Sequence, residues 1–350
     1  MVRRRGARHH PLRARRHHRS RRRPLRLPHG ARLVSNLSLF AAEPSPLAAK
    51  LARLAARGIL IGGSSWKYEG WLGQIYTPER YFTRGKFSAK KFEDTCLAEY
   101  AETFPVVCGD FSFYQFPSTA FWAKLFASAP DSLRFAFKVP EEITVKAFPA
   151  HPRYGHRAGL NNPNFLDFAL FEQMFLAPLQ PYAGRTVALI FEFGQMSRKT
   201  MPDVEAFLEK LVPFLEKLPA GPHYSVELRN AEFLTPAYFA ALREHGVAHV
   251  FNAWTRMPEL PAQTALPDAH TARFTVVRAL LRQGRSYEDA VKTFSPYDRL
   301  QDPNPAARDA LRALINRSLR LGQPASIFVN NRFEGNAPAT IEALVEEIDL

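Results

Sequence analysis

Six side chains in this sequence have types and positions suited to acid–base or anion chemistry: Asp110, Lys138, Glu227, Arg229, Arg278 and Asn331. Each falls at or just past the end of a short run rich in Val, Ile and Phe. The segment YSVELRN shows the logic. Tyr224, Val226 and Leu228 form one apolar parity, while Ser225, Glu227 and Arg229 form a polar one. An apolar helix-facing layer has no use for Glu and Arg, so the polar parity must face another surface. The same alternation separates Ala136 and Lys138 from Phe135, Phe137 and Val139. It also groups Cys108, Asp110, Ser112 and Tyr114; Phe274, Val276 and Arg278; and Ile327, Val329 and Asn331. Read this way, the cations Lys138, Arg229 and Arg278 meet the carboxylates Asp110 and Glu227. The surplus cation suits a small phosphate- or carboxylate-bearing ligand. Burying such charges costs several kcal/mol unless they are paired, so the group reads as a mutually paired, partly wet ring.

The roles follow from the chemistry. Glu227 is the candidate general acid or base, with Asp110 as a second carboxylate. Lys138 is either a Schiff-base amine with a pKa lowered by desolvation, or a salt-bridge partner of Glu227 or Asp110. Arg229 orients the acid–base group. Arg278, Asn330 and Asn331 hold the anion. The turn NNRFEGNAP adds Asn336 as a helix N-cap and Pro338 in the first helical turn. A helix N-terminus beside Arg278 would suit an oxyanion. Trp66, Tyr68 and Tyr114, near the ends of the first two runs, either stack on a ligand ring or cap the core.

The elements that must position these residues alternate regularly. Eight short apolar runs, 59–66, 106–114, 134–140, 187–193, 223–230, 249–254, 274–281 and 325–331, read as strands. Amphipathic stretches at 88–103, 118–128, 164–177, 202–218, 235–245, 306–321 and 338–348 read as helices, with a further one at 47–57 before the first strand. The predicted fold class is α/β, a (β/α)8 TIM-barrel-like single domain over 46–350, behind a disordered basic tail over 1–45. The long stretches 67–87 and 141–163 follow strand C-termini, where barrel enzymes place functional loops.

Composition narrows the function classes. The chain has 350 residues and a formal charge of +14, from 47 Lys and Arg against 33 Asp and Glu. Thirteen of the arginines fall in 1–32, which holds no acid, leaving 34 basic against 33 acidic residues in the body. The basic excess therefore belongs to the tail, which is the only part whose charge suggests nucleic-acid contact. Cys96 and Cys108 are too few for a disulfide framework or a zinc site, and both read as small core residues. No HxH or HExxH motif occurs, so no metal site is expected. No GxGxxG or GxxxxGK[ST] occurs, and the sequence specifies no cofactor. No run approaches the length of a membrane helix, and a cytoplasmic protein is expected.

Several ordered segments together resemble the YecE-like family, known as domain of unknown function 72. They are IGGSSWKYEGW at 61–71, FSFYQFP at 111–117, FAFKVPEEIT at 135–144, YSVELRN at 224–230, Arg278 in FTVVRAL, FSPYD at 294–298 and FVNNRFEGNAP at 328–338. The resemblance spans about 59–350. It implies a TIM-barrel-like fold with a polar cleft at the strand C-termini, and no defined activity. The chain departs from the family pattern in places. Cys108 stands where a Glu is usual, Asp110 where an Asn is, Glu192 where a Gln is common, and Asn230 where a His is usual.

Three readings remain open at this point. The first is a barrel that binds or acts on a small anionic ligand, as a metal-independent lyase, isomerase or hydrolase. The second is a nucleic-acid binding or processing protein that uses its basic tail. The third is a non-catalytic scaffold with a structural charged ring.

Overall fold

A computed structural model of the chain describes residues 43–349. The expected basic tail, apart from 43–45, lies outside the described residues. Eight parallel strands close into a barrel: β1 (Ile59–Gly63), β2 (Val106–Gly109), β3 (Arg134–Lys138), β4 (Thr186–Phe193), β5 (Tyr224–Leu228), β6 (Ala248–Ala253), β7 (Thr275–Ala279) and β8 (Ala325–Val329). Each pairs with its neighbour in sequence, and β8 returns to β1. All eight expected strands are present. Most end one or more residues earlier than their apolar runs, because the chain turns into short helical turns at the strand tops.

Helices of eight or more residues cover the barrel. They are α1 (Pro46–Ala56), α2 (Ala89–Thr103), α3 (Thr119–Ala127), α4 (Val204–Leu215), α5 (Pro236–Glu244), α6 (Tyr287–Phe294), α7 (Pro305–Leu321) and α8 (Ala337–Glu346). Side-chain caps begin all eight. Ser45, Ser88, Ser118, Asp203, Thr235, Ser286, Asn304 and Asn336 each accept from an amide of the first turn. This satisfies donors that a helix start otherwise leaves orphaned. The expected helix over 164–177 instead starts at Phe168 and passes through a π-helical turn at Glu172–Leu176. Asp167 caps it, and Pro163 sits just before. Helix α6 was not expected from the sequence.

Two apolar layers result. Inside the barrel pack Val106, Cys108, Ala136, Ala188, Ile190, Ala248, Val250, Val276 and Phe328. The opposite parities, including Phe135, Phe137, Phe191, Val226 and Leu228, join the layer beneath the helices. The expected parity holds for β2, β3, β5 and β7 and is reversed for β8. Phe328 faces the barrel, while Ile327 and Val329 face the helices. All three side chains are apolar, so nothing in β8 marks its inner face.

The seam between β1 and β2 is held by a side chain. The ladder there is reduced to one partner pair, Gly63 with Val107. The Tyr100 hydroxyl, from α2, fills the gap. It accepts from the Gly63 amide at 2.7 Å and donates to the Val106 carbonyl at 2.8 Å. Gly62 permits the close approach, since a Cβ there would lie 1.8 Å from the Val106 oxygen. Replacing Tyr100 with Phe strands two buried backbone groups, each worth about 1–3 kcal/mol. Urea denaturation of Y100F is expected to show a loss in that range per group, and an unchanged midpoint would remove the hydroxyl from this role.

A candidate ligand site at the barrel mouth

The C-terminal ends of β2, β3, β4, β5 and β7 carry a closed set of charges. Arg278 is its hub. Its Nη1 donates to Glu192 Oε2 and Glu227 Oε2, both at 2.5 Å, and its Nη2 to Asp110 Oδ1 at 3.2 Å. Lys138 lies 3.0 Å from Glu192 and 3.7 Å from Asp110. Arg229 Nη2 lies 3.2 Å from Glu192 Oε2 and 2.5 Å from Glu227 Oε1, the latter an ion pair off hydrogen-bond alignment. Aromatic faces cover two of the cations. Lys138 Nζ sits 3.8 Å from the Phe113 ring centroid, and the Arg229 guanidinium 3.9 Å from that of Trp254.

The structure thus brings together Asp110, Lys138, Glu227, Arg229 and Arg278, and adds Glu192. With Glu192 included, three cations face three carboxylates, so the ring itself holds no surplus cation. Glu192 had drawn notice only as a departure from the family pattern. Its inward parity on β4, with Ala188 and Ile190, was the signal that could have placed it here.

Burial decides the protonation states. Desolvation alone would raise the Glu192 carboxyl, but Lys138, Arg229 and Arg278 outweigh it and hold the group well below the usual carboxylate range. Desolvation would lower Lys138, yet Glu192 and Asp110 more than offset it and keep the amine protonated. That favours the salt-bridge reading of Lys138 over the Schiff-base one. Desolvation pushes the Cys108 thiol up to about 12, so it is no thiolate nucleophile at neutral pH. Glu227 has no exposed side-chain surface, whereas Asp110 is 38% exposed and is the open member of the ring.

The other expected site residues divide. Asn331 does not join the ring. The strand ends at Val329, the chain turns helical over Asn331–Glu334, and the inward parity lapses. Asn331 Oδ1 instead accepts from Trp71 Nε1 at 3.1 Å and the Ala337 amide at 2.7 Å. Asn330 caps the same turn, accepting from the Arg332 amide at 3.0 Å. Tyr114 is 58% exposed and packs against Phe113 and Arg153. Trp66 is buried beside Phe111, and half-buried Tyr68 packs on Trp71 and Tyr297. The expected α8 start is correct, with Asn336 capping Ala339. Its first amides are taken by Asn331 and Asn336, so that terminus does not offer them to an oxyanion.

Arg332, in the loop after β8, was not singled out. It stacks at 4.4 Å over the Tyr287 ring, acts electrostatically on the nearby Tyr297 hydroxyl, and forms no ion pair among the described residues. Its Nε is buried without a partner. Burial pushes the nearby Tyr68 hydroxyl up to about 12, with Asp110 adding to the rise and Arg332 opposing it. In the loop after β7, Arg282 and Arg285 share the single carboxylate of Asp302, and Arg285 Nη1 has no partner. No group of His, Cys, Asp and Glu suited to a metal ion occurs among the described residues, and no described helix is long and apolar enough to cross a membrane.

A closed parallel barrel with a charged, aromatic-rimmed mouth at its strand C-termini defines the class: a TIM-barrel-like protein. The chain belongs to the family described as "Protein of unknown function DUF72", whose profile matches residues 60–350. Two solved structures support the fold. A DUF72 family protein from Thermotoga maritima is 20% identical with a TM-score of 0.52, covering 82% of this chain and 97% of that one. Another from Enterococcus faecalis is 18% identical with a TM-score of 0.53, covering 83% and 96%. No curated protein matches the chain.

The depressed Glu192 carboxyl has a pH consequence. A folded-state pKa below the unfolded one, about 4.3, gives stability that is present above that pH and lost as pH falls through the folded value. E192Q leaves three buried cations with two carboxylates, which costs about 3–5 kcal/mol near pH 7. Urea denaturation at a series of pH values should show this gap between wild type and variant narrowing below about pH 4. A gap constant with pH would separate Glu192 from the acid response.

Proposed function

We propose that the barrel mouth binds a small anionic ligand, phosphate- or carboxylate-bearing, above the neutral ring. The carrying observation is Arg332, a guanidinium in the loop after β8 with no carboxylate partner among the described residues and a buried, unpartnered Nε. Arg285, in the loop after β7, adds a second unpartnered donor. These are the loops that commonly form the phosphate site of such barrels. The attraction first assigned to a cation surplus in the ring passes to these loop arginines.

The ring then acts as a frame. Asp110, its open carboxylate, is the candidate proton donor or acceptor beside the ligand, and Lys138 holds it from below at 3.7 Å. Glu227 and Arg229 position Arg278 and Glu192 without exposed surface of their own to offer. The charge-neutral ring also suits the scaffold reading, in which the mouth has no ligand at all, although Glu227 Oε1, Arg229 Nη1 and Arg278 Nε lack hydrogen-bond partners.

Thermal unfolding against inorganic phosphate distinguishes the two. A ligand that binds only the folded state raises the midpoint in proportion to RT ln(1 + [L]/Kd). The wild type should show such a rise, R332Q should lose most of it, and D110N should enlarge it by removing a repelling charge. A wild type that does not respond to phosphate, or an R332Q that responds equally, would favour the scaffold.

A further inference from the structure

A second feature opens beside Asp110. The loop tops of β1 and β2 and the facing sides of α2 and α3 enclose a cleft of about 450 Å³. That volume suits a small molecule, not a polymer chain. Its wall is aromatic. Trp66 meets Phe111 edge-on at 6.3 Å, and Phe111 meets Phe121 at 5.0 Å. Phe121 is 39% exposed and so presents an uncovered ring. Ser64, only 1% exposed, also lines the cleft, and its hydroxyl has no hydrogen-bond partner. Lys67, Lys124, Glu93 and Asp94 also line the cleft, and none of the four forms an ion pair among the described residues.

A buried orphan hydroxyl costs free energy unless something enters to meet it. An open aromatic wall gains most from a flat ring stacked or placed edge-on against it. Asp110 belongs both to the lining of this cleft and to the ring at the mouth, and it acts electrostatically on Tyr68, as does Ser65, which also lines the cleft. The two spaces therefore share a wall.

We infer that the cleft is the subsite for an aromatic ring carried by the ligand, so that the ligand class is an aryl anion: an aromatic or heteroaromatic compound bearing a phosphate or carboxylate. The inference rests on the anion reading above and adds the part of the ligand that reading leaves undefined. The ring lies against Trp66, Phe111 and Phe121, within reach of the Ser64 hydroxyl. The anionic group passes Asp110 toward Arg332.

Calorimetric titration with inorganic phosphate, phenyl phosphate and 2-naphthol tests it. Wild type should bind phenyl phosphate about tenfold more tightly than phosphate, the increment expected of one stacked ring. F121A should abolish that advantage while leaving phosphate affinity unchanged, and F121Y, which keeps the ring, should retain it. Phosphate and phenyl phosphate bound equally, or an advantage that survives F121A, overturns the subsite. If 2-naphthol binds in a Phe121-dependent way and neither phosphate compound binds, the cleft takes aromatic rings while the aryl-anion class and the anion reading both fall.

Discussion

Everything at the mouth of this barrel depends on one constraint: charges buried that deeply must cancel. Arg278 is almost wholly buried at the centre of a parallel sheet. It persists there because Glu192, Glu227 and Asp110 surround it. Each carboxylate is in turn shared with a second cation, Lys138 or Arg229. Removing any one member leaves a partner charge in low dielectric, so the ring behaves as a unit. This bears on the departures from the family pattern. Cys108, where the resemblance implies a Glu, lies inside the barrel under the electrostatic influence of Arg278. In this chain the carboxylates come from Asp110 and from Glu192 on β4. Against Lys138, Arg229 and Arg278 this chain supplies Asp110, Glu192 and Glu227. Its ring is thus neutral, three cations against three carboxylates.

The barrel must hold this ring in place, and it does so with local devices at its weak points. The seam at β1 and β2 is the thinnest part of the ladder, and a single tyrosine hydroxyl completes it. Asn331 does similar work at the other side of β1. It ties Trp71, from the loop after β1, to the first amide of α8. Both devices sit where the loops bearing Trp66, Tyr68 and Arg332 leave the sheet. The mouth residues are therefore anchored through buried hydrogen bonds and not by loop packing alone.

How much of this was legible in the sequence depended on contrast within each strand. In β5, Glu and Arg alternate with Tyr, Val and Leu, and the inner face is unmistakable. In β8, inner Phe328 and outer Ile327 and Val329 are all apolar, and no side chain reports the difference. Asn331 was misplaced for a related reason: periodicity of two holds only while the strand lasts, and the chain curls one residue after Val329. Arg332 is a lone basic residue in a turn, ordinarily a solvated one, and only its lack of a carboxylate in three dimensions sets it apart. The cleft between α2 and α3 was hidden more deeply, because Leu97, Phe121 and Leu125 each fit an ordinary amphipathic helix. Which of them cover a cavity depends on how far apart the helices stand, and no local pattern encodes that distance.

A buried neutral ring and a ligand site are often set against each other as structure versus function, but under the proposed function one residue belongs to both. Asp110 follows directly on β2 and carries a partly exposed carboxylate. One oxygen, Oδ1, is committed to Lys138 and Arg278. That commitment fixes the side chain without covering it, which is what a group positioned for proton transfer or ligand contact requires. A fully exposed carboxylate at the same place would have no fixed direction. A fully buried one, such as Glu227, has direction but no access. On that proposal the frame supplies the rigidity, and the exposed edge at Asp110, between the Arg332 loop and the aromatic cleft, supplies the opening through which a ligand would reach it.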